Sequence, residues 1–147
     1  MRVLDLFSGI GGFAYAGHLL GGFTTLDFVE IDPYCQQILR KNFPNVPIHD
    51  DITTFDTSFR FGEYDLITAG FPCQDLSSAG KQAGLGAGTR SGLFYRVMQI
   101  ARQVRPKFIL LENVANTISH NKGQTFQQIL HEICLLYTSD AADDLLC

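Results

Sequence analysis

The sequence predicts an α/β fold with a mostly parallel sheet and helices on both faces. Three observations carry this. Short apolar runs recur at residues 2–7, 25–31, 65–70 and 108–111. Stretches of helical spacing lie between them, and alternation of the two periods is the pattern of βα units. Two of the runs also deliver polar, chemistry-bearing residues at their carboxyl ends, Cys73 and Glu112, where open α/β sheets bind ligands.

Arg2-Val3-Leu4-Asp5-Leu6-Phe7 is a short strand that ends in Ser8-Gly9-Ile10-Gly11-Gly12, with a helical stretch to about Leu20. A strand, a glycine turn and a helix start form a nucleotide-binding unit, because glycines let the backbone approach a ligand where a side chain would clash. The spacing is not the GxGxxG of dinucleotide binders, so the turn fits any Rossmann-like cofactor site. The second strand, 25–31, closes on Glu30-Ile31-Asp32-Pro33. Glu30 lies eighteen residues after Gly12, close to the ~20-residue offset at which an acid reaches a ribose hydroxyl pair. Asp32 and Pro33 read as N-cap and first position of a helix to about Asn42.

After Pro44 and Pro47, Ile48-His49-Asp50-Asp51-Ile52 fits a third strand and the loop at its end. The run from Asp65 breaks at Gly70-Phe71-Pro72, placing Cys73 just past a strand end on a backbone stiffened by Pro72. Free cysteine usually behaves as a small core hydrophobe, but Cys73 stands between Pro72 and Gln74 ahead of a polar, glycine-rich segment, which is poor core sequence. That segment, Ser77 to Ser91, is longer than most connections in compact domains and reads as a lid. Leu93, Val97, Ile100, Ala101 and Val104 mark an amphipathic helix that stops before Pro106. The next strand, 108–111, presents Glu112-Asn113, and residues 125–133 form one more helix.

A chain of 147 residues, 46% hydrophobic and 18% charged, is an ordinary globular composition for one domain or part of a larger one. No apolar run approaches the ~20 residues of a membrane span and no leader precedes the first strand, so a soluble, cytoplasmic protein is expected. The four cysteines form no CxxC pair and no ligand array with the four histidines, so neither metal nor disulfide is expected. The net charge of −4 hides an asymmetry: between Leu76 and Leu111 stand Lys81, Arg90, Arg96, Arg102, Arg105 and Lys107 and no acid. Such a window suits a phosphate-facing surface. A solvated helix face accounts for Arg102 and Arg105, leaving Lys81 and Arg90 as the better phosphate candidates.

Gly70-Phe71-Pro72-Cys73-Gln74, with Asp5-Leu6-Phe7-Ser8-Gly9-Ile10-Gly11-Gly12-Phe13 before it and Glu112-Asn113-Val114 after it, resembles the DNA (cytosine-5) methyltransferases in order and spacing. The resemblance covers about residues 1–133. It implies a Rossmann-like S-adenosylmethionine-dependent methyltransferase fold, incomplete at the C-terminus. It also implies S-adenosyl-L-methionine as cofactor: Phe7 and Ile31 at the adenine, Ser8, Gly9, Gly11 and Gly12 near the methionine end, and Glu30 on the ribose. Asp51 and Ile52 match the adenine-contacting pair, although His49 and Asp50 depart from the usual preceding residues. Pro72 and Leu93 match positions against the cofactor. Gln74, Ser77, Lys81 and Arg90 fall where the loop contacts DNA, and Asn113 supports the site beside Glu112.

Cytosine C5 is a weak nucleophile, and a thiolate adding at C6 makes the ring electron-rich; the resemblance implies Cys73 as that nucleophile. Glu112 is the candidate for neutralising the charge at N3, a role that a carboxyl held partly out of water can fill. The target base must be flipped out of double-stranded DNA. The resemblance implies a prokaryotic or phage monomer with double-stranded DNA as partner and no membrane, functionally paired with a cognate restriction endonuclease or acting as an orphan. Family members continue with a Gln-x-Arg-x-Arg element and a target-recognition domain not found here, so these residues alone are expected to be inactive on DNA. The stretch from Cys134 to Cys147 matches nothing in the family and reads as a translated adaptor artefact or an acidic helix end. Three alternatives stay open: a cofactor-binding fragment without catalysis, a transfer-RNA cytosine-5 methyltransferase, which favours Pro-Pro-Cys-Gln, and a nucleotide-binding oxidoreductase.

Overall fold

The computed structural model describes residues 1–71 and 92–138. Five parallel strands form one sheet: β1 (Arg2–Leu6), β2 (Thr24–Val29), β3 (Ile48–His49), β4 (Leu66–Gly70) and β5 (Phe108–Glu112), in the order β3-β2-β1-β4-β5. Helices α1 (Gly12–Leu20), α2 (Pro33–Asn42), α3 (Gly92–Val104), α4 (Asn116–Ser119) and α5 (Gln124–Thr138) connect and cover it. The chain walks outward from β1 through β2 to β3, then returns to the other side of β1 for β4 and β5. The order reverses between β1 and β4, the switch point at which open α/β sheets hold ligands.

Side-chain alternation divides the core in two. Leu4, Leu6, Ile67 and Ala69 face the layer of α3, where Phe94, Val97, Met98, Ile100, Ala101 and Val104 are buried, and Ile129 of α5 joins them. The apolar stripe read from the sequence is therefore core. On the other face Phe28 packs with Ala14 of α1 and Leu39 of α2. Asp32 caps α2 as expected, its Oδ1 accepting from the amides of Tyr34 and Cys35 at 2.7 and 3.1 Å, with Pro33 first in the helix.

The third strand is Ile48–His49, and the loop expected at its end is a turn in which Asp51 accepts from the Thr53 amide through its side chain and from the Thr54 and Phe55 amides through its carbonyl. Two expectations are corrected. Helix α5 runs to Thr138 rather than Ile133. Cys134 is disulfide-bonded, which its spacing gave no reason to expect.

Candidate functional site

Around the switch point, the end of β1 makes an unusual turn. Phe7 adopts φ 55°, Gly9 φ 55° and Gly11 φ 92°. A bulky residue in this region is strained, and such strain clusters at functional positions. Ser8 is buried and donates its hydroxyl to the Asp5 carbonyl at 2.6 Å, so its side chain braces the turn from within. Gly11 is required by contact as well as by φ: a Cβ there would lie 2.8 Å from a Phe43 ring carbon and 3.0 Å from Leu39 Cδ2. Gly12, first residue of α1, has open space where its Cβ would be.

Glu30 leaves the end of β2 and turns back to this turn. Its Oε2 accepts from the Gly9 amide at 2.7 Å and its Oε1 from the Asp32 amide at 2.8 Å. Gln36 of α2 donates to the Glu30 carbonyl at 2.7 Å and fixes the residue from behind. A carboxylate has about four acceptor positions, so two remain for a ligand's hydroxyls. Ile31, next along, is 72% exposed at the mouth of the sheet, an apolar surface with no described neighbour covering it.

Asp51 and Ile52 follow β3 on the same edge. Ile52 is buried in the main core, while Asp51 Oδ1 accepts from the amide and hydroxyl of Thr53. Leu93 packs against that core from the first turn of α3, as does Phe7 from the turn after β1. Phe7, Gly9, Glu30, Ile31, Asp51, Ile52 and Leu93 thus belong to the carboxyl-terminal edge of the sheet or the helix start beside it.

On the β4 and β5 side, Gly70 pairs with Glu112 across the ladder. A Cβ on Gly70 would stand 3.1 Å from Glu112 Oε2, so the glycine leaves the carboxylate its place. Glu112 itself is exposed, and the surroundings expected to hold it partly out of water are not supplied by the described residues. Asn113 donates through Nδ2 to the Phe71 carbonyl at 3.0 Å, and its Oδ1 accepts from the Val114 amide and the Thr117 hydroxyl, both at 2.8 Å. It ties the exit of β4 to the exit of β5 immediately before Pro72. Pro72, Cys73, Gln74, Ser77, Lys81 and Arg90 lie outside the described residues.

The basic window dissolves where it is described. Lys107 pairs with Asp65 at 3.1 Å and Arg102 with Glu132 at 3.2 Å, while Arg105 lies over the Phe61 ring. Arg96 donates to the carbonyls of Ile52 and Phe55. These four cations have partners within the fold, so the charge asymmetry in this part of the sequence does not describe a phosphate-facing surface.

Asp5 adds a buried acid close to the turn after β1. It is fully buried in β1; Oδ1 accepts from the Thr68 hydroxyl at 2.6 Å and Oδ2 has no partner. Burial, reinforced by the nearby Glu30 and opposed by the Thr68 bond, pushes its carboxyl up to about 7. An acid inside Val3-Leu4-Asp5-Leu6 was a signal available in the sequence. A groove of about 550 Å³, lined by Ile10, Gly11, Gly12, Tyr15, Ile38 and Phe43 among others, opens between α1 and α2. It contains none of the acids and lies beside the candidate site.

A parallel sheet with a glycine turn after its central strand and an acid after the next defines a Rossmann-like domain. A sequence model of C-5 cytosine-specific DNA methylases matches residues 1–136. The chain belongs to that family. Among curated relatives, it is 41% identical over 133 residues to the type II methyltransferase M2.BsuMI of Bacillus subtilis (strain 168), covering 88% of this chain and 33% of that protein. It is 42% identical over 129 residues to M.HpaII of Haemophilus parainfluenzae, covering 87% and 35%. The chain thus spans about a third of the length of these relatives. The crystal structure of S. pombe Dnmt2 methyltransferase superposes with a TM-score of 0.69 at 26% identity, covering 89% of this chain and 41% of that one.

Proposed function

We propose that this chain carries the cofactor half of an enzyme that transfers a methyl group from S-adenosyl-L-methionine to C5 of cytosine in double-stranded DNA. The observation that carries the reading is the Glu30 carboxylate, folded back onto the Gly9 amide at 2.7 Å across the ends of β1 and β2. The donor set fits the group: hydroxyl-accepting oxygens on Glu30, exposed apolar surface at Ile31, a strained Phe7, and a glycine turn with open space at Gly9 and Gly12. Glu30 would hold the ribose, Phe7, Ile31, Asp51 and Ile52 the adenine, and the turn the methionine end. When bound, the cofactor supplies an electrophilic methyl.

The chain's own residues supply the rest. Cys73 adds as thiolate to C6 of the flipped cytosine, forming an S–C6 bond and moving the ring electrons toward C5 and N3. Glu112 holds a proton at N3 and so keeps that charge from accumulating. After methylation, loss of the C5 proton and cleavage of the S–C6 bond restore the ring and the free thiol. Asn113, bonded to the Phe71 carbonyl, fixes the backbone two residues before Cys73. A cognate restriction endonuclease as functional partner is part of the same reading, supported by the type II names of the relatives.

The test is binding of S-adenosylhomocysteine by calorimetry. The wild-type chain is expected to bind it in preference to NAD, and Glu30→Gln to weaken it at least tenfold while leaving the fold intact. Equal affinity of Glu30→Gln and wild type, or displacement by NAD, would sink the reading.

A further inference from the structure

The Arg96 guanidinium spends all three of its nitrogens on contacts within the fold. Nε donates to the Ile52 carbonyl at 2.9 Å, Nη2 to the Phe55 carbonyl at 2.7 Å, and Nη1 to Gln99 Oε1 at 2.8 Å. The two carbonyls flank one turn, whose amides at Thr54 and Phe55 already return to the Asp51 carbonyl at 3.2 and 3.0 Å. A second strap lies two helical turns on, where Gln103 accepts from the Thr57 hydroxyl. Arg96, Gln99 and Gln103 stand at i, i+3 and i+7, so one polar edge of α3 runs along residues 52–57. Beneath it, the side chains of Ile52 and Phe55 are buried in the same core as Phe94 and Val97.

Nothing in packing alone requires an arginine here. An apolar residue would cover the same stem, and a lysine would carry the same charge. The planar fork matters because it can reach two carbonyls at once in fixed geometry. Its position matters because Arg96 is one helical turn after Leu93.

We infer that Arg96 is a positioning residue that holds the Asp51–Ile52 turn at a fixed distance from Leu93 and thereby sets selectivity for a 6-aminopurine. This rests on the reading that Asp51, Ile52 and Leu93 face the adenine. Asp51 Oδ1 is committed to Thr53, which orients the carboxylate. A carboxylate oxygen accepts from an amino group and repels a 6-oxo group, so the selectivity depends on where the turn is held.

The experiment compares S-adenosylhomocysteine with S-inosylhomocysteine on the whole chain, as wild type, Arg96→Met and Arg96→Lys. Wild type is expected to prefer the adenosyl ligand. Arg96→Met should lose about tenfold on that ligand and much less on the inosyl one, so the ratio falls toward one; Arg96→Lys should follow it, because charge without the fork does not hold both carbonyls. Equal losses on both ligands would indicate general destabilisation and overturn the inference, as would an unchanged ratio. A wild type that binds neither ligand overturns the adenine reading itself, and the inference with it. Amide exchange in the free protein gives a readout independent of ligand: Thr54 and Phe55 should exchange faster in either variant while Gly9, held by Glu30, keeps its wild-type rate. If Arg96→Met fails to fold, Arg96→Lys, which keeps the aliphatic stem, carries both measurements. Faster exchange at Gly9 to the same degree, or at neither site, overturns it.

Discussion

The two sides of the switch point are built differently. β1 is covered on both faces: Leu4 and Leu6 are fully buried against α3, and Asp5 is fully buried on the opposite face. β5 is covered on one. Ile109 and Leu111 pack on the main core, whereas Phe108 and Leu110, on the other face, remain 58% and 48% exposed. Covering determines what each side can hold. The β1 side keeps a buried acid, a strained phenylalanine and a carboxylate tied to backbone amides, all of which need rigid surroundings. The β5 side presents an exposed carboxylate at Glu112 and an apolar strand face.

The largest test of this contrast pairs Leu6→Ala with Leu110→Ala. Leu6 is fully enclosed, so its truncation should cost about 2–5 kcal/mol by transfer and cavity terms together. Leu110 is half in water, and its truncation should cost well under ~1 kcal/mol. Urea denaturation of the two variants measures both; similar losses would mean that the exposed face of β5 is packed in solution.

Asp5 sharpens the contrast through pH. Its carboxyl is raised in the folded chain from 3.8 to about 7 by burial. The folded state therefore holds a proton that the unfolded chain has released, and stability falls as pH rises between about 4 and about 7. The full difference is at most roughly 4 kcal/mol. Asp5→Asn cannot ionise and should flatten this part of the pH–stability curve, as followed by thermal melts at pH 4, 5.5, 7 and 8. A wild-type curve that rises through that window would contradict the placement of Asp5 in an apolar layer.

Gly11→Ala comes next. It adds a methyl at φ 92° into Phe43 and Leu39, with an expected loss of about 1–3 kcal/mol. Gly12→Ala is the control, since a Cβ there meets open space in an ordinary helical start, and it should be neutral in melting while altering cofactor affinity.

The β1 side was legible because its signals are local. A glycine turn after an apolar run, an acid at a set offset and an Asp-Pro helix start each depend on a few consecutive residues, and Gly9, Glu30 and Asp32 stand where those signals put them. What was not legible depends on distant partners. Arg96 reads as one charge of the basic window until α3 is laid beside residues 52–57, and Lys107 as another until Asp65 is found at 3.1 Å. The sequence placed a strand and its closing loop within residues 48–52 without dividing them, and the division is set by the Asp51–Thr53 bonds that turn the chain after His49. The protection of Glu112 was inferred from chemistry, and no periodicity in the sequence reports on water exclusion at a strand end.

The smallest effect is expected at the far end of the sheet, where the two sides are tied together. Asp65 accepts from the backbone amide, Nε and Nη2 of Arg2, which opens β1, and from Nζ of Lys107, just before β5. The Arg2 hydrogen bonds, with Lys107 adding to them, hold the Asp65 carboxyl well below the usual carboxylate range. Its contribution is therefore present above about pH 4 and lost as the solution becomes more acid. Lys107 is 74% exposed, and an ion pair with such a partner is screened and entropically offset. Lys107→Ala should leave the melting temperature at pH 7 unchanged in 0.15 M salt, whereas Arg2→Ala, which removes a fork, should lower it measurably. Reversal of that order would show that β5 depends on its single lysine contact more than β1 does on the arginine, and the contrast between an anchored and a loosely held side would have to be drawn the other way.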